Sequence, residues 1–127
     1  MALRTLSLFT GVGGLDLGLR IACPEARTIC YVEIGIENCE VLAARFEEGS
    51  LDAAPIWSDV RTFDGKPWRG KVDCITGGFP CQDISIAGRG QGIVEGNRSG
   101  LWFEYARLIR EIRPALVFVE NVGALLV

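Results

Sequence analysis

The sequence predicts an α/β fold built on a doubly wound, mainly parallel sheet, and three observations carry that prediction. Short apolar runs alternate with helix-periodic segments, which is the signature of βαβ units. Glycine-rich or proline-stiffened turns separate the two kinds of segment. The residues with chemical potential gather just past the ends of the apolar runs, where open α/β sheets bind their ligands.

Residues 3–9 form the first apolar strand, followed by the glycine turn Thr10-Gly11-Val12-Gly13-Gly14. Leu15, Leu17, Leu19 and Ile21 then suit a short helix; their spacing fits a strand equally, and the glycine turn before them favours the helix. Residues 28–32 make a second strand ending at Glu33, and residues 37–47 carry Val41, Leu42 and Phe46 at helical spacing. Residues 55–58 form a weak third strand that ends near Asp59-Val60, and residues 62–70 read as a polar loop. The fourth strand covers residues 72–76. Residues 77–97 hold Gly77, Gly78, Gly88, Gly90, Gly92 and Gly96 and read as a long mobile loop, a feature that in a compact domain is usually functional. In residues 98–113, Leu101, Tyr105, Leu108 and Ile112 recur on one helix face, and Pro114 ends the helix before a fifth strand at 115–119. Strand-helix alternation of this kind implies right-handed crossovers.

The 127 residues suffice for one domain with a true core. No apolar stretch approaches a membrane span, and the amino terminus shows no signal-peptide pattern, so a soluble cytoplasmic protein is expected. Five scattered cysteines without CxxC spacing, and no histidine, argue against a metal site and against a disulfide scaffold. Without imidazole, proton chemistry falls to carboxylates, thiols, water or a partner. A formal net charge of −3 argues against strong nucleic-acid binding by these residues alone.

Pro80-Cys81-Gln82 sets a thiol beyond the fourth strand, on a turn stiffened by Pro80 and loosened by Gly77 and Gly78. A free cysteine is most often a buried structural thiol, but this turn is a poor place for one. Glu120 follows five apolar residues, so it is expected to be shielded and inclined to stay protonated, unless it merely caps a helix. Glycines 11, 13 and 14 permit close approach of a nucleotide-like ligand, although such turns also serve packing. The spacing is not GxGxxG, and no Walker-type lysine motif occurs. Glu33, 20 residues beyond Gly13, suits a ribose diol as well as it suits a helix start. Asp59 suits an exocyclic amine of adenine, or a turn. Together these describe a pocket for an adenosine moiety. Arg107, Arg110 and Arg113 read as a solvated face, whereas Arg89 beside Ser85 and Gln91 is the better candidate for a phosphate contact.

Residues 7–15 (SLFTGVGGL), 77–85 (GGFPCQDIS) and 118–122 (FVENV) resemble the cytosine-C5 DNA methyltransferases, in the family's order and spacing, and residues 98–104 are similar to the segment after that family's mobile loop. The resemblance covers almost the whole chain. It implies a Rossmann-like S-adenosylmethionine-dependent methyltransferase fold, incomplete on its C-terminal side, with residues 1–127 forming the N-terminal part of the catalytic domain. Cys81 would attack C6 of a cytosine flipped from double-stranded DNA, and Glu120 would act at N3. Phe9, Gly11, Gly13, Gly14, Leu15, Glu33, Ile34, Asp59, Val60 and Pro80 match positions of the family's cofactor pocket. Gln82, Ser85 and Arg89 would face DNA, in a loop that closes over it.

Many family members carry Asp where this chain has Ser7. The family's Gln-x-Arg-x-Arg motif, its target-recognition domain and two further strands beyond strand five do not occur in these 127 residues. The expectation is therefore a catalytic half that is weak or inactive alone, completed by a C-terminal half or second subunit carrying target recognition. Two competing readings remain. One is a defective or split remnant acting as a binding partner; the other is a nucleotide-dependent oxidoreductase, which would give Cys81 no role.

Overall fold

The computed structural model describes residues 2–80 and 100–121. Five strands form one sheet in the order β3-β2-β1-β4-β5. They are β1 (Leu3–Leu8), β2 (Ala26–Val32), β3 (Ile56–Trp57), β4 (Cys74–Gly77) and β5 (Leu116–Val119), and every pairing is parallel. Three helices, α1 (Gly14–Ala22), α2 (Ile36–Glu47) and α3 (Leu101–Ile112), supply the crossovers. The order reverses at β1, so the chain winds outward in both directions and leaves a crevice at the carboxyl ends of β1 and β4.

The central strands are buried because both faces are covered. Leu6, Leu8 and Ile75 join Tyr105, Leu108 and Ile112 of α3 in one cluster with Cys30, Val32, Phe63 and Phe79. The periodicity that predicts α3 thus identifies the face that packs. Ser7 and Thr76, side by side in the β1–β4 register, belong to the alternate positions and are equally buried. Arg4 grips Asp73 through its backbone N–H, Nε and a terminal nitrogen at 2.8–3.0 Å, fixing the entry to β4 beside the start of β1.

Two features differ from the sequence reading. The segment expected as a loop at 62–70 contains a single-turn 3₁₀ helix, Lys66–Trp68, and a second, Val60–Thr62, runs into its start. Asp59 starts the first by accepting from the Arg61 backbone N–H, an Asx-type turn that hydrophobic periodicity does not register. Second, β5 is exposed along its length: Leu116 is 55% and Phe118 57% accessible. An apolar run reads as buried, but β5 is the outer strand of the sheet, and the described residues do not cover it.

Candidate functional site

The crevice is built from three strand ends. After β1 the chain turns sharply: Phe9 takes φ 50°, Gly11 φ 61° and Gly13 φ 82°, and Gly13 N–H donates to Thr10 O at 3.1 Å. A positive φ at Phe9 is an uncommon choice for a non-glycine residue and marks a turn held by its surroundings. Part of that support is the Phe9 ring stacked on Tyr105, with centroids 6.3 Å apart. A Cβ on Gly13 would lie 2.5 Å from Leu51 Cδ1, a side-chain end that can shift, so the positive φ is the firmer reason for glycine there. Gly14 then opens α1, whose N-terminus no side chain caps.

Glu33, at the end of β2, ties this turn to the next helix. Its Oε1 accepts the Gly11 N–H at 2.7 Å, while Oε2 accepts the Gly35 N–H at 2.7 Å and Asn38 Nδ2 at 3.1 Å. Each carboxylate oxygen offers about two lone-pair sites, so Oε1 keeps one acceptor position and Oε2 is filled. Beyond β3, Asp59 receives the Arg61 guanidinium on both oxygens at 3.0 and 3.1 Å. Those side-chain bonds, with the Arg61 backbone N–H, hold the Asp59 carboxyl below the usual carboxylate range and keep it an acceptor.

A cleft of about 770 Å³ opens among these groups, lined by Phe9, Glu33, Ile34, Asp59, Val60 and Pro80. Val32, Asn38, Ser58, Arg61, Gly78 and Leu101 complete its wall. None of these six is marked by the sequence reading as a site residue. Asn38 is one that sequence could flag, since it lies five residues past Glu33 near the start of the helix that Glu33 anchors. A second cavity, of about 150 Å³, adjoins the glycine turn and is lined by Ser7, Thr10, Leu15, Asp16, Gly77, Gly78 and Glu120. Phe9 and Gly78 border both cavities, so the two hollows form neighbouring parts of one crevice.

Glu120 sits at the tip of β5, its backbone N–H donating to Gly77 O at 3.2 Å. Asn121 Nδ2 donates to Phe79 O at 3.4 Å, and Phe79 packs against Trp102 and Tyr105. The approach to Pro80 is therefore held from β5 and α3 together. The expected shielding of Glu120 is corrected: its side chain is exposed, for the same reason that β5 is. Cys81, Gln82, Ser85 and Arg89 lie outside the described residues. So does nearly all of the 77–97 segment read as a mobile loop. Among the described residues there is no cluster of three metal-ligating side chains and no helix long and apolar enough to cross a membrane.

Gly78 bears directly on Glu120. A Cβ there would stand 2.5 Å from Glu120 Oε2 and 3.0 Å from its backbone oxygen. Gly78→Ala is expected to fold with its α3 core intact while displacing the Glu120 carboxylate. In the reaction proposed below this appears as a fall of roughly 10- to 100-fold in kcat, with the thermal midpoint moving by only a few degrees. Parallel assays of rate and melting would check both.

Comparison with known proteins agrees with this architecture. The family model for C-5 cytosine-specific DNA methylase matches residues 3–127. Type II methyltransferase M.Eco47II of Escherichia coli is 39% identical over 121 residues, which cover 95% of this chain and 27% of the relative. Type II methyltransferase M.CviJI of Paramecium bursaria Chlorella virus IL3A is 38% identical over 122 residues, covering 95% and 30%. The chain thus spans less than a third of either relative. The crystal structure of S. pombe Dnmt2 methyltransferase superposes with a TM-score of 0.69 at 21% identity, covering 97% of this chain and 35% of that one, a likeness of fold.

Proposed function

Since this chain belongs to the C-5 cytosine-specific DNA methylase family, we propose that it carries the methyl-donor pocket and the reacting groups of an enzyme that methylates C5 of cytosine in double-stranded DNA. The observation that carries the reading is convergence. A cleft with acceptors for a ribose and an adenine amine shares its Phe9–Gly78 border with a cavity that contains Glu120. The donor is S-adenosylmethionine, and the residues present fit it. Glu33 Oε1 keeps one lone pair for a ribose hydroxyl, Asp59 is an ionised acceptor for an amine, and Ile34, Val60 and Phe9 offer apolar surface to a base. Bound there, the sulfonium supplies an electrophilic methyl group.

The chain's own groups perform the remaining chemistry. The Cys81 thiolate forms a bond to C6 of a cytosine extruded from the duplex, since the ring carbon is out of reach inside the stack. Electrons from the C5–C6 double bond move toward C5, and Glu120 holds a proton or hydrogen bond at N3 that stabilises the charge the ring develops. C5 would take the methyl group as the methyl–sulfur bond breaks, its electron pair remaining on the donor's sulfur as a neutral thioether. Loss of the C5 proton then returns its bonding pair to the ring, and the S–C6 bond breaks with its electrons on sulfur. With no histidine in the chain, a carboxylate, a thiol or water accepts that proton. Pro80, the residue before Cys81 in sequence, lines the cleft wall.

Two further parts of the reading concern DNA. Gln82, Ser85 and Arg89 contact the duplex. Base-sequence recognition comes from further polypeptide or from a second subunit that docks against β5, because four apolar residues lie exposed on that outer strand and the relatives are more than three times as long. Transfer of labelled methyl from S-adenosylmethionine to hemimethylated and unmethylated duplexes, with the part that carries base recognition supplied, tests the whole. Glu120→Gln is expected to lower kcat by roughly 10²- to 10³-fold with little change in donor affinity, the loss typical of removing one charge-stabilising group. Label appearing on adenine or on protein, or Glu120→Gln at the wild-type rate, would refute the assignment.

A further inference from the structure

Beneath the glycine turn lies a polar group that neither the fold nor the reacting centre explains. Asp16, in the first turn of α1, is 5% exposed, and its Oδ2 accepts the Ser7 hydroxyl at 3.0 Å. Ser7 Oγ is also 2.9 Å from Thr10 Oγ1. A hydroxyl has one proton. With that of Ser7 given to Asp16, Ser7 Oγ can only accept from Thr10, whose hydroxyl also lies within reach of the Ser7 and Val32 carbonyl oxygens at 3.3 and 3.5 Å. The other oxygen, Oδ1, is buried without a hydrogen-bond partner among the described residues, and no ion pair there includes Asp16.

A buried carboxylate with an orphaned oxygen is costly unless something arrives to pair with it. An acid in the first turn of a helix has an ordinary role, complementing the macrodipole, but an exposed side chain performs that equally well. Here the acid is turned inward, against β1, and lines the cavity of about 150 Å³ with a second carboxylate, Glu120, on the same wall. Burial pushes the Asp16 carboxyl above its usual range, opposed by the Ser7 hydrogen bond and its own backbone N–H, and a cation arriving beside it would favour the ionised form. The start of α1, uncapped by any side chain, presents backbone N–H groups beside this acid. One anionic site and one set of N–H donors, both at the start of α1, complement a free amino acid: its ammonium and its carboxylate.

We propose that Asp16, held in place by Ser7 and Thr10, is the counter-ion for the α-ammonium group at the amino-acid end of the methyl donor. The assignment rests on the S-adenosylmethionine reading above and adds to it a residue that the motif match leaves out.

The test uses binding, measured by calorimetry on the full protein with two product-like ligands. S-adenosylhomocysteine carries the amino acid; 5′-methylthioadenosine carries the same adenosyl thioether without it. Asp16→Asn is expected to weaken S-adenosylhomocysteine roughly 10- to 100-fold, the range of a charge-assisted hydrogen bond, while 5′-methylthioadenosine changes by less than about twofold. Moving the acid with the double variant Ser7→Asp/Asp16→Ser is expected to recover most of the loss. Equal weakening of both ligands would reduce Asp16 to a structural role, and no weakening of either would remove it from the site. Should the variants fail to fold, the unaltered protein still decides. A deaminated S-adenosylhomocysteine should bind at least about tenfold more weakly than the parent, and equal binding overturns the proposal. Failure of the unaltered protein to bind either adenosyl ligand overturns the donor reading itself, and this inference with it.

Discussion

Cys81→Ala is expected to abolish both methyl transfer and covalent capture of DNA containing 5-fluorocytosine. The fluorine at C5 cannot leave as a cation, so an enzyme that has attacked C6 and methylated C5 stays joined to its substrate. That adduct resolves on a denaturing gel as a species of increased mass. Without the Cys81 sulfur there is no bond to C6, and ring electrons are never pushed toward C5. The expected loss in kcat is at least about 10⁴-fold, the scale seen when a covalent nucleophile is removed and only binding and electrostatics remain. Donor affinity should be unaffected to within about twofold, because the pocket residues Phe9, Glu33, Asp59 and Val60 belong to other strand ends. Two of the other cysteines are poor substitutes: Cys30 and Cys74 are buried in the sheet, and burial pushes both thiols up, Cys30 to about 11, away from the reactive thiolate. A Cys81→Ala protein that still forms the adduct would sink the mechanism.

Gly77→Ala is expected to be the most destabilising single-methyl substitution in the crevice. Gly77 closes β4 opposite Leu8 of β1, with φ 153°, and a Cβ there would collide with the Leu8 backbone oxygen. The obstacle is backbone in the middle of the sheet, so no rotamer change relieves it. Relief means separating β1 from β4 at the point where the glycine turn and the Pro80 turn both begin. A loss of roughly 4 kcal/mol or more follows, comparable with the largest effects of single substitutions, and the thermal midpoint should fall by about 10 °C or more. Thermal melts followed by circular dichroism would measure it. Gly78→Ala, one residue on, provides the contrast, because its new methyl meets a movable carboxylate and the cost appears in rate. A Gly77→Ala protein as stable as the parent would show that the two strands can part without penalty.

The architecture was legible because its signals are local. Apolar runs of strand length, the helical spacing of Leu101, Tyr105, Leu108 and Ile112, and the glycines after β1 each name an element without reference to the rest of the chain. Parallel pairing then followed from alternation, and the crevice from parallel pairing. The two 3₁₀ turns at 60–62 and 66–68 escaped notice, since they are made by Asx-type and proline geometry with no periodic pattern. Glu120 illustrates the opposite error. Five apolar residues before it predict burial, yet an apolar run reports only that a strand can be covered, and β5 is an outer strand. Asp16 was equally hidden. In sequence it is one acid among leucines after a glycine turn, and only the sheet brings Ser7 against it.

By itself, then, the order of residues determined the fold class, the strand ends at which chemistry gathers, and the family, since turns and periodicities are written in neighbouring residues. Tertiary structure alone decided which strand is left uncovered, which acceptor position of Glu33 remains open, and which carboxylate is buried with one oxygen unpaired among the described residues. Those properties depend on contacts between segments far apart in the chain, where packing and the competition for hydrogen-bond donors are settled.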